Sequence, residues 1–154
     1  MRCHAPRSFE ASAAEARPKS DPSRYIAVMA LHNLNLTPID VRLDQARTHF
    51  TRVKPAELPE MLKAGAILVD IRPESFRQDE GTHPDALIIE RNVLEWRLDP
   101  NSAARIIDIE PETTIIIMCN EGYASSLAAA DLVKMGFSGA TDLIGGFRSW
   151  RAQA

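Results

Sequence analysis

Thr114-Ile-Ile-Ile-Met-Cys-Asn-Glu-Gly-Tyr-Ala-Ser-Ser-Leu-Ala-Ala-Ala-Asp-Leu-Val-Lys-Met135 changes character once, at Cys119. From Thr114 to Met118 the chain is apolar and mostly β-branched, and Pro111-Glu112 bounds it on the upstream side. That composition suits a strand covered on both faces of a parallel sheet. Beyond Cys119, Ala128, Leu132 and Met135 recur at helical spacing. The residues between must make a tight strand-to-helix loop, with Gly122 supplying the sharp turn.

A loop of this kind turns successive backbone N–H groups inward, and the following helix adds free amides and a positive dipole end. Together they form a cradle for an anion. Cys119 inside such a cradle is expected as the thiolate, the reactive form of cysteine. The alternative reading is a small buried hydrophobe that closes the strand. The candidate anion-binding amides are those of Asn120, Glu121, Gly122, Tyr123, Ala124 and Ser125. Ser125 and Ser126 stand near the helix start, where a hydroxyl either caps backbone amides or bonds the held anion.

Strand and helix patterns alternate outward from this centre. Val53 belongs to a short strand, and 55–64 read as a helix ended by Gly65, with Pro59 either distorting the first turn or marking the true start. Strand patterns follow at 66–71, 86–89 and 141–144. Helical turns are expected at 73–78, at 92–98 from the capping-box form Asn92-Val93-Leu94-Glu95, and at a terminal helix anchored by Phe147 and Trp150. Alternation of this kind predicts an α/β fold, a parallel sheet flanked by helices. Upstream, Thr37-Pro38-Ile39-Asp40 has the form of a helix start, and Ile39, Leu43, Ala46 and Phe50 make an apolar stripe. Three regions result: a disordered tail at 1–24, poor in large apolar side chains; a helical extension at 25–50; and the main domain at 51–154.

Four segments together resemble the rhodanese family of sulfurtransferases. Cys119-Asn120-Glu121-Gly122-Tyr123-Ala124-Ser125 is similar to its active-site loop, and Val69-Asp70-Ile71-Arg72 to its Asp-x-Arg strand end. Gly81-Thr82-His83-Pro84-Asp85-Ala86 resembles its Gly-His-Ile-Pro-Gly-Ala segment, and Gly145-Gly146-Phe147-Arg148-Ser149-Trp150 its closing Gly-Gly-Phe-x-x-Trp. The four span residues 51–151 in the family's order and spacing.

The resemblance implies a five-stranded α/β domain. It also implies a transfer in which Cys119 takes the outer sulfur of a small donor such as thiosulfate as a persulfide, then yields it to a thiol, to a cyanide-like acceptor or to an acceptor protein. Ala124 stands where many members carry Arg, so a bidentate oxyanion donor is missing and thiosulfate binding is expected to be weak. Arg72 and Arg91 are candidates for electrostatic support, although Arg72 could instead pair with Asp70 or Glu74, and Arg91 could be solvated. A non-catalytic binding or regulatory module is the alternative. A cysteine phosphatase or arsenate reductase would need Arg at the sixth residue after the cysteine, where this chain has Ser125.

Composition excludes other classes. Apolar residues make up 45% and charged residues 25% of 154, which are globular proportions, and the net charge of −3 with no basic patch argues against nucleic acid. No window is apolar enough for a membrane span, and with no secretory signal pattern the chain is expected in the cytosol. His4, His32, His49 and His83 have no ligand spacing with each other or with Cys3 and Cys119, so neither metal nor cofactor is expected. Oligomeric state is not legible.

Overall fold

The computed structural model describes residues 37–153; the tail at 1–24, the extension up to residue 36 and Cys3 lie outside the described residues. Helix α1 is Pro38–Arg47. A 3₁₀ turn at Pro55–Glu57 leads into α2, Leu58–Lys63. Then come β1 (Ile67–Asp70), α3 (Glu74–Glu80) and β2 (Ala86–Ile88). A second 3₁₀ turn, Arg91–Val93, precedes α4 (Leu94–Leu98). The chain closes with β3 (Ile115–Met118), α5 (Ala124–Lys134), β4 (Ala140–Asp142) and α6 (Gly146–Arg151).

The strands form one all-parallel sheet in the order β2-β1-β3-β4. Four strands stand where five were expected. Val53 accounts for the difference: it makes a single parallel bridge to Leu143, donating to Asp142 O at 2.9 Å and accepting from Ile144 N at 2.8 Å. Pro55 then lacks the N–H that would extend the ladder and begins a helical turn, so a fifth strand stops after one residue.

β3 explains its own sequence. All four of its residues are fully buried. Side chains alternate across a strand, so Ile115 and Ile117 enter one core layer with Val69, Ala128 and Leu132, while Ile116 and Met118 enter the other with Leu58, Leu68, Leu143 and Phe147. Both layers are apolar, which is why the run shows no polar alternation.

Upstream, the helix start at Thr37 forms as a reciprocal capping box, with Thr37 N donating to Asp40 Oδ2 at 2.8 Å and Asp40 N to Thr37 Oγ1 at 3.4 Å. α1 packs on α5 through Leu43 and Ala46. Its stripe is narrower than expected, since Ile39 is half exposed; Met135, placed on the buried side of α5 by spacing, is also exposed. Pro59 resolves the ambiguity at 55–64: it sits in the first turn of α2, where its missing N–H leaves no bond unmade, and the 3₁₀ turn occupies the rest. No capping box forms at Asn92, because the 3₁₀ turn takes residues 91–93 and α4 starts from an uncapped Val93. Among the described residues no helix is long and apolar enough to cross a membrane.

Candidate active site

Cys119 is the residue after β3, at the carboxyl end of the sheet. In open parallel α/β sheets this is the edge where ligands bind. Two amides face its sulfur: Gly122 N at 3.2 Å and Ser125 N at 3.4 Å, with Ser125 Oγ also at 3.2 Å. Gly122 reaches this position at φ +80°, and a Cβ there would stand 2.8 Å from Gly145 N. A side chain is excluded twice over, by backbone conformation and by space.

Of the six amides expected around an anion, those of Gly122 and Ser125 hydrogen-bond the cysteine sulfur itself. Asn120 turns its side-chain amide to Glu80 Oε1 at 3.3 Å, and Glu121 pairs with Arg148. Tyr123 and Ala124 are exposed at the start of α5.

Beneath the loop lies a fully buried carboxylate, Asp142. It accepts Arg52 Nε at 2.7 Å, Arg52 Nη2 at 3.0 Å, Ser126 Oγ at 2.7 Å and Ser125 Oγ at 3.1 Å. Both serines thus bond Asp142, Ser126 Oγ also reaching Gly122 O at 3.0 Å, and neither caps α5, whose N-terminus has no side-chain cap. Ser125 Oγ links the cysteine sulfur, 3.2 Å away, to the Asp142 carboxylate, to which it donates at 3.1 Å.

The opposite wall is α6. Phe147 N donates to Cys119 O at 2.8 Å and Arg148 N to Asn120 O at 3.2 Å. The approach is so close that a Cβ on Gly146 would stand 2.3 Å from Cys119 O. The Arg148 guanidinium joins Glu80 on α3 to Glu121 on the loop. Its hydrogen bonds hold the Glu80 carboxyl below the ordinary value of 4.5. A depressed carboxylate stabilises the fold above its unfolded pKa and loses that contribution as pH falls through the folded one. The difference in melting temperature between the wild type and Glu80→Gln should therefore be constant above the ordinary carboxylate value of 4.5 and shrink as pH falls below it, as differential scanning fluorimetry across that range would register.

Neither candidate for electrostatic support bonds the loop. Arg72 is buried against Asp70, with Nη2 to Oδ2 at 2.7 Å, donates to Gly81 O at 2.8 Å and lies 3.7 Å over the Phe147 ring. It fixes the β1 terminus. Arg91 pairs with Glu95 at 2.6 Å and Asp131 at 3.3 Å. Besides Arg148, the cations that touch the loop are Arg47 and Arg52, each donating to Gly122 O at 3.0 Å. Sequence reasoning missed both, together with Asp142. The available signal was weak: Asp142 is a lone acid amid strand residues, and the arginines are 70 or more positions from their partner.

A rhodanese-like domain model matches residues 54–153. The chain belongs to the rhodanese-like domain family. Among curated relatives of this rhodanese-like chain, the thiosulfate sulfurtransferase GlpE of Pseudomonas syringae pv. syringae (strain B728a) is 35% identical over 107 residues, covering 68% of this chain and 90% of the relative. Among solved structures, a protein of unknown function from Rhodopseudomonas palustris CGA009, described as a possible tyrosine phosphatase, superposes with a TM-score of 0.66 at 27% identity, covering 76% of this chain and 91% of that one. The human single-domain sulfurtransferase TSTD1 gives a TM-score of 0.57 at 26% identity, with coverage of 68% and 98%.

Proposed function

We propose that the protein is a sulfurtransferase that carries a sulfane sulfur as a persulfide on Cys119. The observation that carries this reading is the cysteine sulfur at the mouth of a parallel sheet, met by two backbone amides and one hydroxyl. Membership of the rhodanese-like family and relatives named thiosulfate sulfurtransferase support it.

In the first step the Cys119 thiolate attacks the outer sulfur of thiosulfate. The new bond is Cys119 Sγ–S, the bond broken is the S–S bond of thiosulfate, and its electron pair leaves with sulfite. In the second step a thiolate or cyanide attacks the outer sulfur of the persulfide and Cys119 departs as thiolate, which closes the cycle with no external oxidant. A covalent intermediate divides one difficult transfer into two easier ones. Negative charge persists on sulfur through both steps, and the amides of Gly122 and Ser125 serve that charge without reorganisation.

Donor preference follows from Ala124. It offers the loop neither charge nor hydrogen bond, and a charge-assisted hydrogen bond contributes about 1.5–3 kcal/mol. Thiosulfate is accordingly a weak donor here, and a donor that does not depend on sulfonate recognition, such as a polysulfide or a low-molecular-weight persulfide, is favoured.

Intact-mass measurement after incubation with thiosulfate or polysulfide tests the proposal. One added sulfur atom is expected on the wild type and none on Cys119→Ala, with thiocyanate released when cyanide follows. No adduct from any donor on a folded wild type would replace this reading with that of a non-catalytic binding module.

A further inference from the structure

Gly122 O is the most heavily gripped atom of the loop. Arg47 Nη2 reaches it at 3.0 Å from the last turn of α1, and Arg52 Nη2 reaches it at 3.0 Å from the segment leading to β1. Both arginines precede the residues matched by the family model, which begin at 54. Each guanidinium has a second hold. Arg47 Nε donates to Ser126 Oγ at 3.1 Å, and Arg52 clasps Asp142 with two bonds.

The geometry gives this grip a consequence for the sulfur. Gly122 presents its N–H to Cys119 Sγ and its C=O to the arginines, with a positive φ between them. Glycine visits that conformation and its mirror with little preference, so the residue itself does not choose which way its two peptide planes face. Two guanidinium groups on the carbonyl, joined by the Ser126 hydroxyl at 3.0 Å, do choose. They fix the plane that follows Gly122, and the chain then enters α5 so that Ser125 N–H also faces the sulfur. Arg47 is aimed from a helix docked on α5 through Leu43 and Ala46, so α1 is mechanically part of the loop's support.

We propose that Arg47 and Arg52 are positioning residues for sulfur transfer, and that the helix at Pro38–Arg47 serves to lock the Cys119 loop in its sulfur-holding conformation. The proposal rests on the sulfurtransferase reading for its activity arm and on geometry alone for its structural arm. Arg47 is the better probe, because Arg52 also neutralises buried Asp142.

The test uses the full chain with Arg47→Met, which keeps much of the stem, and Arg47→Lys, which keeps the charge but can reach only one of the two acceptors at a time. Amide hydrogen exchange by NMR is expected to quicken about tenfold at Gly122 in Arg47→Met, the lower end of what a charge-assisted hydrogen bond contributes, while Ile116 in the core is unchanged. Single-turnover sulfur loading should slow by a similar factor with KM for the donor held within about twofold, because a misplaced nucleophile loses rate rather than binding. Arg47→Lys should recover part of both effects. Wild-type exchange at Gly122 and Ser125 in Arg47→Met would overturn the proposal. A wild type that takes up no sulfur would instead sink the sulfurtransferase reading and leave the exchange measurement to decide this one.

Discussion

Asp142→Ala is expected to lower the stability of the domain by about 3 kcal/mol, which for a domain of this size is a fall in melting temperature of roughly 10 °C. The carboxylate is fully buried and four donor groups converge on it: two from Arg52 and one each from Ser125 and Ser126. Removing one member of a buried ion pair costs about 3–5 kcal/mol, mostly because the other charge is left uncompensated. Arg52 retains 19% of its side-chain exposure, so water partly replaces the lost partner and the lower end of that range applies.

Asp142→Asn separates charge from shape. Its amide keeps the volume and one acceptor but turns a donor toward Arg52, so an intermediate loss is expected. Thermal unfolding of the three proteins at pH 7 is the measurement, and an alanine variant melting within about 3 °C of the wild type would show that the cluster is not a stabilising one.

Gly146→Ala is expected to cost about 2–4 kcal/mol and to slow sulfur loading by roughly two orders of magnitude. Two effects add. The residue sits at φ +60°, where an L side chain is strained by about 1–2 kcal/mol, and the new Cβ would lie 2.3 Å from Cys119 O and 2.7 Å from the Asn120 carbonyl carbon. Those neighbours are backbone atoms and cannot rotate aside, so the loop must shift as a whole, and a displacement near 1 Å costs a reaction about a hundredfold. Gly136→Ala is the control. Its φ is +104° and nothing lies within 4 Å of its Cβ position, so it carries the conformational penalty without the collision. Equal losses in the two variants, measured by denaturant unfolding and by single-turnover loading, would remove close approach from the explanation.

Much of this molecule could be read before folding. The β3 run is buried in both layers and so had to be apolar throughout, and a period of one is visible in a one-dimensional string. Thr37-Pro38-Ile39-Asp40 formed its cap because every partner lies within three residues. Gly122 turned where the strand-to-helix change demanded it. What was not legible lies at long range. Local sequence offered Ser125 and Ser126 a role as helix caps or as donors to a held anion; the acceptor both reach is Asp142, 16 to 17 residues away and fully buried. Arg72 pairs with Asp70, one of the two partners its neighbourhood in sequence offered, whereas the Asp131 partner of Arg91 lies 40 positions away and was not legible. The fifth strand was cut short at Pro55, a residue in plain view whose effect depends on which neighbour its missing N–H would have served.

The chain by itself determined the layered α/β architecture, the family and the cysteine at the end of β3, because those follow from periodicity and from residues a few positions apart. Tertiary structure alone decided which amides meet the sulfur, and that Arg47, Arg52 and Asp142 underpin them. Hydrogen bonds act over about 3 Å, whereas these groups are separated by up to 90 positions, and only the docking of α1 on α5 and the parallel pairing of the strands bring them within that reach.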